Sequence, residues 1–141
     1  MRHSQKAKYI ISACMLAVGI FSAIILYKSL LPGDGVPYEV ITPVQALEYM
    51  EYEEGYVLLD IGSPEEYAKL HIKGAINLPY DVLLDSIVTS VPDKTRMIYL
   101  YDRENESADK AALKLSEMGY VSVTRIGRLK EWTGSFEGDD A

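Results

Sequence analysis

The sequence predicts an α/β domain built on a parallel, mostly helix-covered sheet and preceded by one transmembrane helix. Three observations carry this. Short apolar, β-favouring runs alternate with helix-period runs from residue 38 onward, the order expected of strand–helix–strand units. Two of the helical runs open with the same start chemistry, a hydroxyl residue followed by proline and, three residues on, by Gln or Glu. Residues 9–27, YIISACMLAVGIFSAIILY, are nineteen uncharged and mainly apolar residues, close to the roughly 20 that span a bilayer as a helix.

Residues 1–8 form a basic flank containing Arg2, Lys6 and Lys8, against the lone Lys28 beyond the apolar run. The positive-inside rule then places the N-terminus in the cytoplasm and the following domain outside it, in a single-pass cell-membrane protein. A cleaved secretory signal has a shorter apolar core and a small-residue cleavage site, and neither is present. Residues 9–27 are therefore read as a signal-anchor. Cys14 is the only cysteine. Ile11-Ser12-Ala13-Cys14 superficially resembles a lipidation site, but the apolar run continues for thirteen residues past the sulfur, so Cys14 is read as a small apolar membrane residue. With one cysteine there is no internal disulfide. Residues 28–37 are a linker rich in helix breakers.

The domain is assigned to residues 38–135 and an acidic tail to 136–141. Tyr38 to Ile41 reads as a short strand. Thr42-Pro43-Val44-Gln45 starts a helix with a capping box. Tyr56 to Asp60 reads as a buried strand, and Ser63-Pro64-Glu65-Glu66 repeats the helix-start pattern. Ala75 to Leu78 is a further strand. Asp81 is placed to cap a helix lined on one side by Leu83, Leu84, Ile87 and Val88. Met97 to Tyr101 and Val121 to Ile126 complete the strands. Between them Ala108, Ala111, Ala112, Leu115 and Met118 share one helical face, with Asn105 or Ser107 as candidate caps and Gly119 as the stop.

Charge narrows the partners. Residues 1–37 hold four basic and one acidic residue, which leaves ten basic against twenty acidic in the remainder of the chain, 38–141. Its net charge near −10 excludes nucleic acid as a partner class and keeps it off anionic surfaces. No cofactor motif is present. Asp102, Glu104 and Glu106 are three carboxylates close together, but alternating acidic residues in a loop are read as solvated, and no metal site is assigned.

The strand over Met97 to Tyr101 and the helix after it leave Asp102 to Glu106 as a tight connecting loop at a carboxyl end, where ligands are expected in this architecture. Backbone N–H groups and a helix N-terminus converge there, forming an anion site where a thiol ionises easily. A second stretch sharpens this reading: Asp60-Ile61-Gly62-Ser63-Pro64-Glu65-Glu66-Tyr67, then His71-Ile72-Lys73-Gly74-Ala75-Ile76-Asn77-Leu78-Pro79. Together they resemble the rhodanese (sulfurtransferase-like) domain family, whose D-x-R-x-x-x-E-[FY] and G-H-I-x-G-A-x-N-[IL]-P stretches precede a Cys-headed loop. Ser107 is similar to the family's serine in the following helix, and Gly127-Arg128-Leu129-Lys130-Glu131-Trp132 to its closing G-G-x-x-x-W turn with the second glycine replaced.

The resemblance spans roughly Val40 to Trp132. It implies a three-layer fold and, in active relatives, a loop cysteine that carries persulfide sulfur. Here the motif spacing puts Tyr101 at the cysteine's position. A phenol of ordinary pKa near 10 cannot carry sulfur, and the loop's three carboxylates against Arg103 oppose an anionic donor. Gly62 stands where relatives commonly have arginine. The expectation is a non-catalytic interaction or regulatory module, using Tyr101, Asp102, Arg103, Glu104, Asn105, Glu106 and Ser107 to contact an unidentified protein partner. The alternative is an enzyme with altered chemistry, either phosphatase-like or a sulfurtransferase that uses another protein's cysteine. Tyr101 is otherwise expected to plug the strand end, His71 to be structural, Asp60 to order its strand end and Trp132 to pack in the core.

Overall fold

The structure, a computed structural model, describes residues 37–104 and 106–141. The expected anchor at 9–27 and Asn105 lie outside the described residues. Among those residues no helix is long and apolar enough to cross a membrane.

Five strands form one parallel sheet: β1 (Glu39–Ile41), β2 (Val57–Asp60), β4 (Ile76–Asn77), β5 (Ile98–Tyr101) and β6 (Val123–Ile126), in the order β1-β6-β5-β2-β4. The central strands β5 and β2 carry apolar residues on both faces, as a sheet covered on both sides requires. Along β5, Ile98 and Leu100 face one core and Tyr99 and Tyr101 the other. The first core is closed by α3 (Tyr80–Ser90) and α4 (Glu106–Glu117), the second by α1 (Pro43–Tyr52) and the 3₁₀ turn Leu129–Glu131. The chain is thus the α/β, mostly parallel fold that the sequence predicts.

Local chemistry fixes the helix starts. Thr42 accepts a hydrogen bond from the Gln45 amide while the Gln45 side chain accepts from the Thr42 amide, and Ser63 and Glu66 repeat this at α2 (Pro64–Lys69). Helix α3 differs from expectation. Pro79 precedes it without a side-chain cap and Asp81 lies within its first turn, where a carboxylate still favours the positive end of the helix. Only Leu83 and Ile87 are buried on it, while Leu84 and Val88 are exposed, because each sits one helical step round from the inward row. On α4, Ala108, Ala111, Ala112 and Leu115 are fully buried and Met118 is packed against them.

The expected acidic tail is also revised. Phe136 and Glu137 form β7, antiparallel to β3 (His71–Ile72), and the Asp139 and Asp140 amides donate to the carbonyls of Ala68 and Lys69. The end of the chain is therefore stitched to the corner between α2 and β3.

Candidate active site

The site forms where β2 and β5 end side by side. Asp60 pairs in register with Tyr101, and the Ile61 amide donates to the Tyr101 carbonyl at 3.1 Å. Strand alternation decides what happens next. Tyr101 turns into the second core, is fully buried, and its hydroxyl accepts a hydrogen bond from the Ile72 amide at 2.9 Å. Burial, reinforced by the negative charge of Asp60, pushes its phenol well above the ordinary value near 10, so it stays protonated and is no nucleophile. Tyr101 is therefore a core residue under the strand end, not the head of the loop.

The loop head is Asp102. Its carboxylate is buried, and a single oxygen, Oδ2, accepts from the amides of Ser107 at 2.9 Å and Ala108 at 3.1 Å. These are first-turn amides of α4, which lack partners within the helix. Ser107 thus lies inside the helix rather than capping it, and the cap comes from Asp102 across the loop. The anion-binding geometry expected from the sequence is present, and the chain's own carboxylate occupies it.

Arg103 points the other way. Its guanidinium donates to Asp60 Oδ2 at 3.0 Å and to the Leu70 carbonyl at 2.7 Å, while Asp60 Oδ1 accepts from the Gly62 amide at 2.8 Å. A side chain at residue 62 would put its Cβ 2.9 Å from Asp60 Oδ1, 3.2 Å from Glu66 Oε2 and 3.8 Å from Arg103 Cζ. The positive charge expected to be missing at Gly62 is thus supplied from Arg103, whose guanidinium lies beside that position. Asp60 is fully buried, so removing its cation leaves a buried, unpaired carboxylate. Arg103→Met is expected to lower stability by about 1–3 kcal/mol, less than the 3–5 kcal/mol of a wholly buried pair because the arginine retains some contact with water. Urea unfolding checks this; a change under about 0.5 kcal/mol would make the pair idle.

His71 is structural, as expected. Its ring stacks on Tyr67 with centroids 3.7 Å apart, and its Nδ1 is 2.7 Å from the Tyr67 carbonyl, a geometry in which Nδ1–H donates. Trp132 packs in the second core. Glu104 leaves the loop on a different side and joins the wall of a cleft of about 410 Å³ at the carboxyl ends of β1 and β6. Sequence reading gave no sign of that cleft.

A family model described as Rhodanese-like domain matches residues 42–134. The chain belongs to the rhodanese-like domain family. Among curated relatives of this rhodanese-like chain, the thiosulfate sulfurtransferase PspE of Escherichia coli is 38% identical over 73 residues, covering 52% of this chain and 70% of that protein. The thiosulfate sulfurtransferase GlpE of Pseudomonas entomophila is 31% identical over 105 residues, covering 74% and 93%. Among solved structures, a rhodanese with anions from E. coli superposes with a TM-score of 0.56 at 34% identity, covering 59% of this chain and 98% of that one. The Alr3790 protein from Anabaena gives 0.64 at 28%, covering 70% and 91%.

The relatives correct one expectation and the structure another. The sequence predicts a domain without enzymatic activity, yet both curated relatives carry the name thiosulfate sulfurtransferase, so the family points to enzymatic activity. That expectation rests on Tyr101 as the loop's leading residue, and the structure gives that place to Asp102.

Proposed function

We propose that this rhodanese-like domain is a sulfurtransferase that moves sulfane sulfur between thiols supplied from outside the domain, at the mouth of the β5–α4 loop. The carrying observation is the Asp102 carboxylate seated on the Ser107 and Ala108 amides. The amide cradle of a sulfur-handling loop is intact, but a small anion such as thiosulfate would have to displace an internal carboxylate, and the loop supplies no sulfur of its own. The relatives' names support sulfur chemistry. The occupied cradle favours an organic persulfide as donor over a free anion.

The step balances without an oxidant. An acceptor thiolate R′–S⁻ attacks the outer sulfur of a donor persulfide R–S–S⁻, a new S–S bond forms, the old one breaks, and its electron pair leaves on R–S⁻. The domain's contribution is to hold donor and acceptor together, which makes the encounter effectively unimolecular. Purified full chain is expected to accelerate sulfur exchange between glutathione persulfide and a second thiol above the uncatalysed rate. Cys14→Ser should retain that activity, since Cys14 has no part in the step. Exchange no faster than without protein would remove the reading.

The domain is further proposed to be tethered by residues 9–27 with the N-terminus in the cytoplasm, on the strength of the apolar length and the basic asymmetry. Residues Val36–Ala141 make a compact unit of their own. A chain lacking residues 1–35 is therefore expected to move from the carbonate-resistant membrane fraction to the soluble one with its circular dichroism intact. An unshifted distribution contradicts the tether.

A further inference from the structure

We propose that the cleft at the carboxyl ends of β1 and β6 binds a small zwitterion of the amino-acid type that carries the exchanging thiol. This rests on the sulfur-transfer reading and gives it a substrate class. The cleft's volume, about 410 Å³, lies within the roughly 300–1,000 Å³ of small-molecule sites. It also adjoins the loop, because Glu104, two residues beyond Asp102, is part of its wall.

The ligand class follows from the charges. Four ionic side chains line the cleft: Arg125, Arg128, Glu104 and Glu131. An ion of one sign meets two attractive and two repulsive groups there, whereas a zwitterion can turn each end to its opposite. The partners already made refine the picture. Arg125 gives its Nε to Asp109 at 2.9 Å, and Arg128 holds Glu131 through Nε and one terminal nitrogen. A guanidinium has five N–H donors, so both arginines keep donors for a carboxylate. Glu104 makes no hydrogen bond or ion pair among the described residues. It is the carboxylate left to receive an ammonium group.

The wall is also packed down to the backbone. A Cβ at Gly127 would lie 2.8 Å from Pro43 Cδ and 3.5 Å from Glu131 Oε2, so only a bare backbone lets the start of α1 approach β6 so closely. Thr42 and Gln45 add polar atoms from that same helix start. A compact ligand with two opposite charges suits such a surface better than an apolar one does.

Calorimetric titration of the full chain with L-cysteine, cysteamine and 3-mercaptopropionate tests the site. L-Cysteine is expected to bind at least tenfold more tightly than cysteamine, which lacks the carboxylate, or 3-mercaptopropionate, which lacks the ammonium. Glu104→Gln should weaken L-cysteine but not 3-mercaptopropionate, which loses a repulsive neighbour. Arg128→Gln should weaken L-cysteine but not cysteamine, for the same reason. Equal binding of the three thiols, binding of none, or L-cysteine affinity indifferent to both substitutions overturns the site; should a variant fail to fold, the three thiols on the unmodified chain decide. L-Cysteine binding with this pattern but no sulfur exchange would refute the transfer reading and keep the site. Exchange that runs as fast to 2-mercaptoethanol as to L-cysteine would do the reverse.

Discussion

Replacing Asp102 with cysteine is expected to make the domain react with thiosulfate, and replacing Tyr101 with cysteine is not. A sulfur at position 102 stands where the carboxylate now meets the Ser107 and Ala108 amides, so its thiolate inherits two donors and the positive end of α4. The same change removes the carboxylate that fills the cradle. The helix-end contribution of about 0.3–1 kcal/mol corresponds to a thiol titrating roughly half a unit below 8.5. Glu104 and Glu106 work against this, but both are exposed and screened by salt. The thiolate attacks the outer sulfur of thiosulfate, forms a protein persulfide and releases sulfite. The lost cap costs about 1 kcal/mol of stability. Sulfite release and thiolate absorbance against pH measure the outcome. An inert Asp102→Cys, or a Tyr101→Cys that releases sulfite equally fast, contradicts the assignment of the loop head.

The second large effect is on stability. Tyr101→Ala is expected to cost about 3–5 kcal/mol, the range for truncating a fully buried aromatic, out of a total near 5–15 kcal/mol for a typical domain. Tyr101→Phe keeps the ring and removes the acceptor of the Ile72 amide, for about 1–3 kcal/mol. The pH dependence has a definite sign. Burial first, and then the charge of Asp60, raise the phenol's pKa in the folded protein above the value near 10 of the unfolded chain. The folded state therefore holds this proton more tightly. That contribution is complete below pH 10 and is lost as pH climbs from there toward the folded-state value. Tyr101→Phe should flatten the alkaline loss but not abolish it, because burial and Glu53 raise Tyr99 in the same direction. Urea midpoints at pH 8 and pH 11 test both statements, and a variant matching wild type at both values refutes them.

The features legible in the sequence are those with local causes. The capping boxes at Thr42 and Ser63 need only four consecutive residues, and the inward face of α4 needs only its own periodicity. The loop's position and its converging amides were legible for the same reason. Its head was not. Counting motif spacing back from Ser107 lands on Tyr101, whereas the Asp60–Tyr101 pairing keeps that residue inside the strand. Local pattern gave no signal: an N-cap aspartate stands immediately before its helix, whereas Asp102 reaches the amides of α4 from across the loop. The Arg103–Asp60 pair and the β3–β7 ribbon join positions far apart in the chain, and two-residue strands leave no period to read.

The capped loop can also be described as a receptor with its ligand tied on. Because Asp102 is joined to the cradle through a short loop, it competes with any free anion at an effective concentration of the millimolar order that short tethers produce. At equal affinity, a dissolved sulfate or thiosulfate must exceed that concentration to displace it. Selectivity against small inorganic anions is thus written into the covalent chain, and it weakens only as those anions rise past the tether's effective concentration.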